Sequence, residues 1–425
     1  MDAEQIRQLR PRLTRYLKRF EDCFARKDTR KHFPVYVEGQ LSDLNGKSVE
    51  PIAKHAGVPV RTLQEFLALH KWDHDRMRDR LQEIVAAEHS GRHSLGIIDE
   101  TSFVKKGNKT PGVQRQHCGT VGKQENCIVT VHLAYAVGDF HCLIDGELFL
   151  PESWAEDRQR CDEAGVPEHM VYRPKWKIAL ELYDDARRRG VDFEWLVFDE
   201  GYGGKPPFLR ALDARRQRFV GEVPKTFTGW IDAPRVTDRP FHRHGRGRGR
   251  KTPRLVAGSS PARSVEHMLT HHPALRDQRW ERWRIKDGDK GPMVWEVKHV
   301  LFHPKDAHGL PGKPYHLVVA RNVLKPDEIK FFISNAPPNT KLQVLLRVAF
   351  SRWRVERCFQ DQKGELGLDD YEGRRYLGLK RHLVLTAVSY LFLAQVHQKL
   401  RGKKTGVDGV PGARGCGSTR AILVA

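Results

Sequence analysis

Three carboxylates, far apart along the chain, stand where acids can do chemistry. Two close apolar runs: Asp99 ends "HSLGIID" and Asp199 ends "FEWLVFD". The third, Glu356, sits in the helical stretch "RWRVERCFQDQKGELGLDDY", four residues after Arg352 and seven before Lys363. At about 100° per residue these three charged side chains fall within roughly 40° of one another, beside an apolar stripe of Val355, Phe359 and Leu366. Taken alone, Glu356 reads as one half of an ordinary i,i+4 ion pair. Taken together, three carboxylates offer hard oxygen donors of the kind Mg²⁺ prefers, and that ion typically shares one or two protein carboxylates with phosphate oxygens. Close carboxylates repel unless a cation lies between them. Two such ions about 4 Å apart activate a water or a 3′-hydroxyl and stabilise the leaving oxygen of an in-line phosphoryl displacement. The expected cofactor is therefore a pair of Mg²⁺ ions held by Asp99, Asp199 and Glu356, with Mn²⁺ as the substitute.

The elements that must position these acids follow from pattern. Residues 1–90 read as a helical, charge-rich domain broken at "KHFPVYVEG". Within it Ala53, Gly57 and Leu63 have the spacing of two helices meeting at a glycine turn, a DNA-binding arrangement. From residue 91 to 224 the pattern is a strand meander, a helix and further strands, with Gly138-Asp139 marking a hairpin. Each Asp at the end of an apolar strand is expected at the sheet's end, where a cleft is available. On a strand, Glu100 points away from Asp99 and reads as structural, as does Glu200. Gly201 and Gly203 read as a tight exit from the strand, since Pro206 stands where a dinucleotide fingerprint needs its third glycine. Residues 225–340 read as a β-rich insertion that carries the basic run "FHRHGRGRGRKTPR" at 241–254. Helices return at 341–400, and 401–425 reads as a flexible basic tail.

Composition names the partner. Lys and Arg total 74 against 53 Asp and Glu, a formal charge of +21 on 425 residues, which points to a polyanion and first to double-stranded DNA. Lys105, Lys106 and Lys109 follow the first Asp, where a DNA strand can run. No apolar run reaches the roughly 20 residues that span a bilayer, and "LVLTAVSYLFLAQV" at 383–396 reads as a buried helix, so no membrane partner is expected. The seven cysteines are scattered without a C-x-x-C pair, and the N-terminal sequence has no apolar export signal. Cytoplasmic localisation, on the nucleoid when DNA is bound, is the expectation.

The blocks "IIDETSFVKKG", "QRQHCGTVGKQENC", "WLVFDEGYG" and "RWRVERCFQDQKGELGLDDYEGR" resemble, in that order, the DDE transposases of bacterial insertion sequences. The family's Arg-x3-Glu-x6-Lys signature matches Arg352, Glu356 and Lys363 position for position, whereas the Tyr often found three residues before the Arg is Ala349 here. The resemblance implies a ribonuclease H-like α/β fold, a mixed sheet flanked by helices with a β-rich insertion. It implies that Asp99, Asp199 and Glu356 form the catalytic triad, and Arg352 and Lys363 are the candidates for contacts to the transposon end; Trp353, one position along the same helix, reads either as a core tryptophan or as a ring that stacks on an unpaired base. It also implies a homodimer that pairs two DNA ends, cleaves them and joins them to target DNA. Two alternatives remain open from sequence: a DNA-binding regulator without catalysis, and a nuclease of similar fold that cuts without joining.

Overall fold

The computed structural model describes residues 7–239, 252–288 and 291–401. The basic run read at 241–254 lies outside the described residues through position 251, as does the tail beyond 401. The described chain divides into two compact units, one made of the residues through Glu194 together with those from Trp353, the other of Trp195–Arg352.

The first unit opens with helices α1 (Leu9–Leu17), α2 (His32–Leu41), α3 (Val49–His55), α4 (Val60–Ala68) and α5 (His74–His89). The break expected at "KHFPVYVEG" is instead the start of α2. Pro34 is the third residue of that helix, where a missing N–H loses no intrahelical bond. Between α3 and α4 the chain turns at Gly57 with φ +65°, and both Ala53 and Leu63 are buried, as the spacing predicts. Four antiparallel strands follow: β1 (Leu95–Val104), β2 (Gln114–Cys118), β3 (Lys123–Val137) and β4 (Phe140–Leu148). β3 is central, with β1 along one edge and β2 and β4 pairing successive stretches of the other. β2 has no apolar run and alternates half-exposed and exposed side chains, which is why its sequence does not announce a strand. Helix α6 (Lys175–Arg188) packs on β3 and β4.

The second unit begins with β5 (Trp195–Phe198), crosses through α7 (Pro206–Ala214) and returns as β6 (Phe219–Val223), parallel to β5. Then come β7 (Glu281–Gly288), β8 (Gly291–Pro304), β9 (Tyr315–Asn322), β10 (Ile329–Ser334) and helix α8 (Leu342–Ala349). β10 pairs antiparallel with β6, β9 with β10, β8 with β9 and β7 with β8, so this unit's sheet is mixed. Edge-on and tilted contacts join Phe198 to Phe208 and Phe219, and Phe219 to Tyr315, which ties α7 and β9 to the parallel pair.

The chain ends its described course in the first unit with α9 (Trp353–Leu366) and α10 (Tyr376–Arg401). By length and composition α10 matches a membrane span, yet 83% of its apolar window is buried inside the protein. Several of its polar side chains find partners among the N-terminal helices, as buried polar groups must find partners. Tyr36 and His382 share a hydrogen bond of 2.9 Å, Gln40 donates to Thr386 at 2.8 Å, and Ser389 donates to Gln40 at 2.8 Å. Arg381 donates to the carbonyls of Phe66, Leu67 and Trp72 and lies 4.5 Å from the Trp72 ring centroid. Burial lowers its pKa to about 10. The architecture is mixed α/β with helices flanking sheet, consistent with a ribonuclease H-like fold.

Candidate catalytic and DNA-binding residues

Asp99 is the fifth residue of β1, not its last. The strand continues through "ETSFV" to Val104, because residues 95–104 pair without interruption with 136–127 of β3. The carboxylate is thus set by sheet register and is 7% exposed, whereas the sequence suggested a strand end. Its backbone partner across the ladder is His132, so both side chains lie on one face of the sheet. Phe359 of α9 packs edge-on against the His132 ring at 5.3 Å. The helix that carries Glu356 therefore covers the face that carries Asp99, and Glu356 precedes Phe359 by three positions on that helix. Val355, Phe359 and Leu366 are buried as the stripe predicts, while Glu356 itself is exposed.

His132 had no signal in the sequence beyond lying in an apolar strand. It is fully enclosed, shares a 2.7 Å hydrogen bond with Thr130, and burial pushes its pKa down to about 3, so it is a neutral ring beside Asp99. On the opposite face, Glu100 pairs with Lys175 at 2.6 Å, the structural role that strand alternation implies.

Asp199 is placed differently. It follows the last residue of β5 and caps the short helical turn Glu200–Gly203, accepting from the N–H groups of Gly201 at 3.0 Å and Tyr202 at 3.4 Å. The turn lies so close to β6 that a Cβ on Gly203 would stand 1.9 Å from the Glu222 carbonyl oxygen. The glycines are the tight exit the sequence indicated, and the carboxylate at its mouth is fixed by local chain geometry.

The candidate DNA contacts fall into two groups. Lys106 is exposed, Arg352 is half-buried, and Trp353 is 40% exposed with its ring 6.4 Å from that of His141. Lys105 and Lys363 point inward instead. Lys105 donates to the carbonyls of Asp369 and Tyr371 at 2.9 and 2.7 Å. Lys363 donates to the Ser102 carbonyl at 3.1 Å and to the Thr120 hydroxyl at 2.8 Å. Burial lowers the pKa of both ammonium groups. Backbone carbonyls carry no signature in a sequence, which is why these roles were not legible there.

As oxygen donors, the three acids suit a hard divalent cation. Asp99 and Glu356 belong to the first unit and Asp199 to the second. Among the described residues no group of three or more His, Cys, Asp or Glu side chains is gathered closely enough to hold a metal ion. The six cysteines in the described residues are buried free thiols.

Comparison with known proteins adds the following. A solved structure, the NurA nuclease from Sulfolobus solfataricus, aligns with 79% of this chain and 94% of its own at 11% identity, but the TM-score of 0.26 is too low to support any inference. A probable transposase for insertion sequence element IS701 from Microchaete diplosiphon is 34% identical over 187 residues, 43% of this chain and 46% of the relative, so the match spans less than half of that protein. The model of the DDE superfamily endonucleases matches residues 19–292, a stretch that holds Asp99 and Asp199 and ends before Glu356. That match takes in well over half of the 425 residues, and the chain belongs to the DDE superfamily endonuclease family.

Proposed function

We propose that the protein is a DNA transposase that binds the inverted repeats at the ends of its own element, cleaves them, and joins the freed 3′-hydroxyls to target DNA. In this reading Asp99, Asp199 and Glu356 are the catalytic carboxylates. The observation that carries it is that, in a member of the DDE endonucleases, the helix bearing Glu356 lies on the sheet face bearing Asp99. Asp99 is held by strand pairing, Asp199 by the turn its carboxylate caps, and Glu356 by the buried stripe beneath it. Bound at these acids, Mg²⁺ would supply the Lewis acid that activates a water or 3′-hydroxyl and stabilises the leaving oxygen.

Lys106, Arg352 and Trp353 are the proposed contacts to the transposon end, with α3 and α4 contributing to its recognition. The excess of 74 basic over 53 acidic residues supports a phosphate-driven term in binding, which should weaken steeply as salt rises. A homodimer that pairs the two ends, acting in the cytoplasm on nucleoid DNA, completes the reading. The deciding experiment incubates the purified chain with end-containing DNA and Mg²⁺ or Mn²⁺, then scores nicking and strand transfer separately. Nicking with joining supports a transposase, nicking alone a nuclease of similar fold, and binding without nicking a DNA-binding regulator.

A further inference from the structure

Lys363 belongs to the signature shared with transposases, and its expected partner is DNA. In the free protein it has a different one. Its ammonium group reaches from α9 to β1, where it donates to the Ser102 carbonyl at 3.1 Å and lies 5.3 Å from the centroid of the buried Phe103 ring. Thr120, in the turn between β2 and β3, completes the arrangement. Its hydroxyl accepts from Lys363 at 2.8 Å and donates to the same Ser102 carbonyl at 2.7 Å, while its N–H donates to the Ser102 hydroxyl at 3.2 Å. Cys118, on the strand leading into that turn, donates to the Ser102 hydroxyl at 3.3 Å.

A second lysine braces the same two parts in the opposite direction. Lys105, next after β1, donates to the carbonyls of Asp369 and Tyr371 in the segment that follows α9. Ser102 lies three residues beyond Asp99, and Lys363 lies two helical turns beyond Glu356 on the same helix face. The ties therefore fix the tilt of one acid's helix against the other acid's strand.

We propose that Thr120 and Lys363 form a clasp on the Ser102 carbonyl that positions Glu356 over the strand bearing Asp99, and that Thr120 is a positioning residue for the reaction. This rests on the reading of Asp99 and Glu356 as catalytic carboxylates. A lysine that donates to a carbonyl and a hydroxyl inside the protein acts on the helix before it acts on DNA. Thr120 separates the two roles, because its replacement leaves the protein's charge unchanged.

The test uses the full chain with Thr120→Val, Thr120→Ser, Lys363→Met and the Thr120→Val/Lys363→Met double variant. Three readouts are taken: hydrogen exchange of α9 amides without DNA, DNA-end affinity, and cleavage against Mg²⁺ concentration. The expected result for Thr120→Val is at least about fivefold faster α9 exchange, unchanged DNA Kd, about tenfold lower kcat, and a raised Mg²⁺ requirement. Thr120→Ser restores all of these, and the double variant is no worse than Lys363→Met alone, since partners in one network are not additive. Wild-type exchange and wild-type metal dependence in Thr120→Val would overturn the proposal. If α9 exchange rises as expected while Asp99→Asn or Glu356→Gln still cleaves, the clasp stands and the catalytic reading fails.

Discussion

Asp99 and Asp199 hold the same chemical group by opposite means. Asp99 lies mid-strand, opposite His132 in an unbroken ladder of ten residue pairs, and its place depends on chain some thirty positions away. Asp199 is held by its own next three residues, as the cap of a one-turn helix. The first acid is therefore robust to changes nearby in sequence and exposed to anything that shifts strand register. The second has the reverse sensitivity. Substitution should thus separate the acids by their effect on folding even where their loss has the same effect on activity.

The largest expected effect is common to both. Asp99→Asn, Asp199→Asn and Glu356→Gln keep shape and remove charge, and each should lower Mg²⁺-dependent cleavage by about a thousandfold or more, with DNA-end affinity within about twofold of the parent. Single-turnover cleavage and a binding isotherm on the same substrate give both numbers. A variant that cleaves at the parental rate removes that acid from the proposed triad.

Gly203 bears on the local anchoring of Asp199. A Cβ there meets the Glu222 carbonyl at 1.9 Å, and backbone cannot rotate away as a side chain can. Gly203→Ala should destabilise the second unit by about 2 kcal/mol through overpacking and should displace the Asp199 turn. Chemical denaturation with hydrogen exchange at β6 measures both, and parental stability would mean that the turn has slack the geometry denies.

What the sequence revealed divides along the same line. The Asp199 turn was legible in "FDEGYGG", the hairpin in Gly138-Asp139, and the buried helix in "LVLTAVSYLFLAQV", because each is encoded by residues adjacent in the chain. Family membership was legible in four blocks, and the match to residues 19–292 bears it out. The mid-strand place of Asp99 was not legible, since the acid and the polar Glu100-Thr101-Ser102 that follow become strand only by pairing with distant β3. The same holds for β2, a polar edge strand, and for Lys105 and Lys363, whose acceptors are carbonyls brought near by the fold. Pro34 misled for a local reason, its position in the first turn of α2.

The dependence of the first unit on distant contacts has a titratable counterpart in Asp145 of β4. Burial raises its pKa from the ordinary carboxylate value to about 7, against the pull of Arg78 at 3.7 Å. The folded state then holds a proton that the unfolded chain has released between about pH 4 and 7. Its contribution to stability is fully present below pH 4 and is lost as pH rises through 7, at about 1.4 kcal/mol per pH unit inside that window. Asp145→Asn removes the titration, so the stability of the variant relative to the parent should rise between pH 5 and 7. Urea unfolding at both pH values tests this. A relative fall would mean that the pairing with Arg78 outweighs burial.

The smallest effect isolates the cap itself. Asp199→Ala removes both the carboxylate and the acceptor for the Gly201 and Tyr202 N–H groups, and should cost about 1 kcal/mol, the usual worth of an N-cap. Asp199→Asn retains an acceptor oxygen and should cost only a few tenths of that. Asp99 accepts from the N–H of its own neighbour Glu100 at 2.8 Å and lies within a strand, where it caps no helix. Asp99→Asn keeps the side chain's shape and the ladder of backbone bonds, and should leave the melting temperature close to the parent's. If Asp199→Ala and Asp199→Asn prove equally stable, the carboxylate is not holding its turn, and the contrast between an acid fixed by neighbours and one fixed by register fails at its local end.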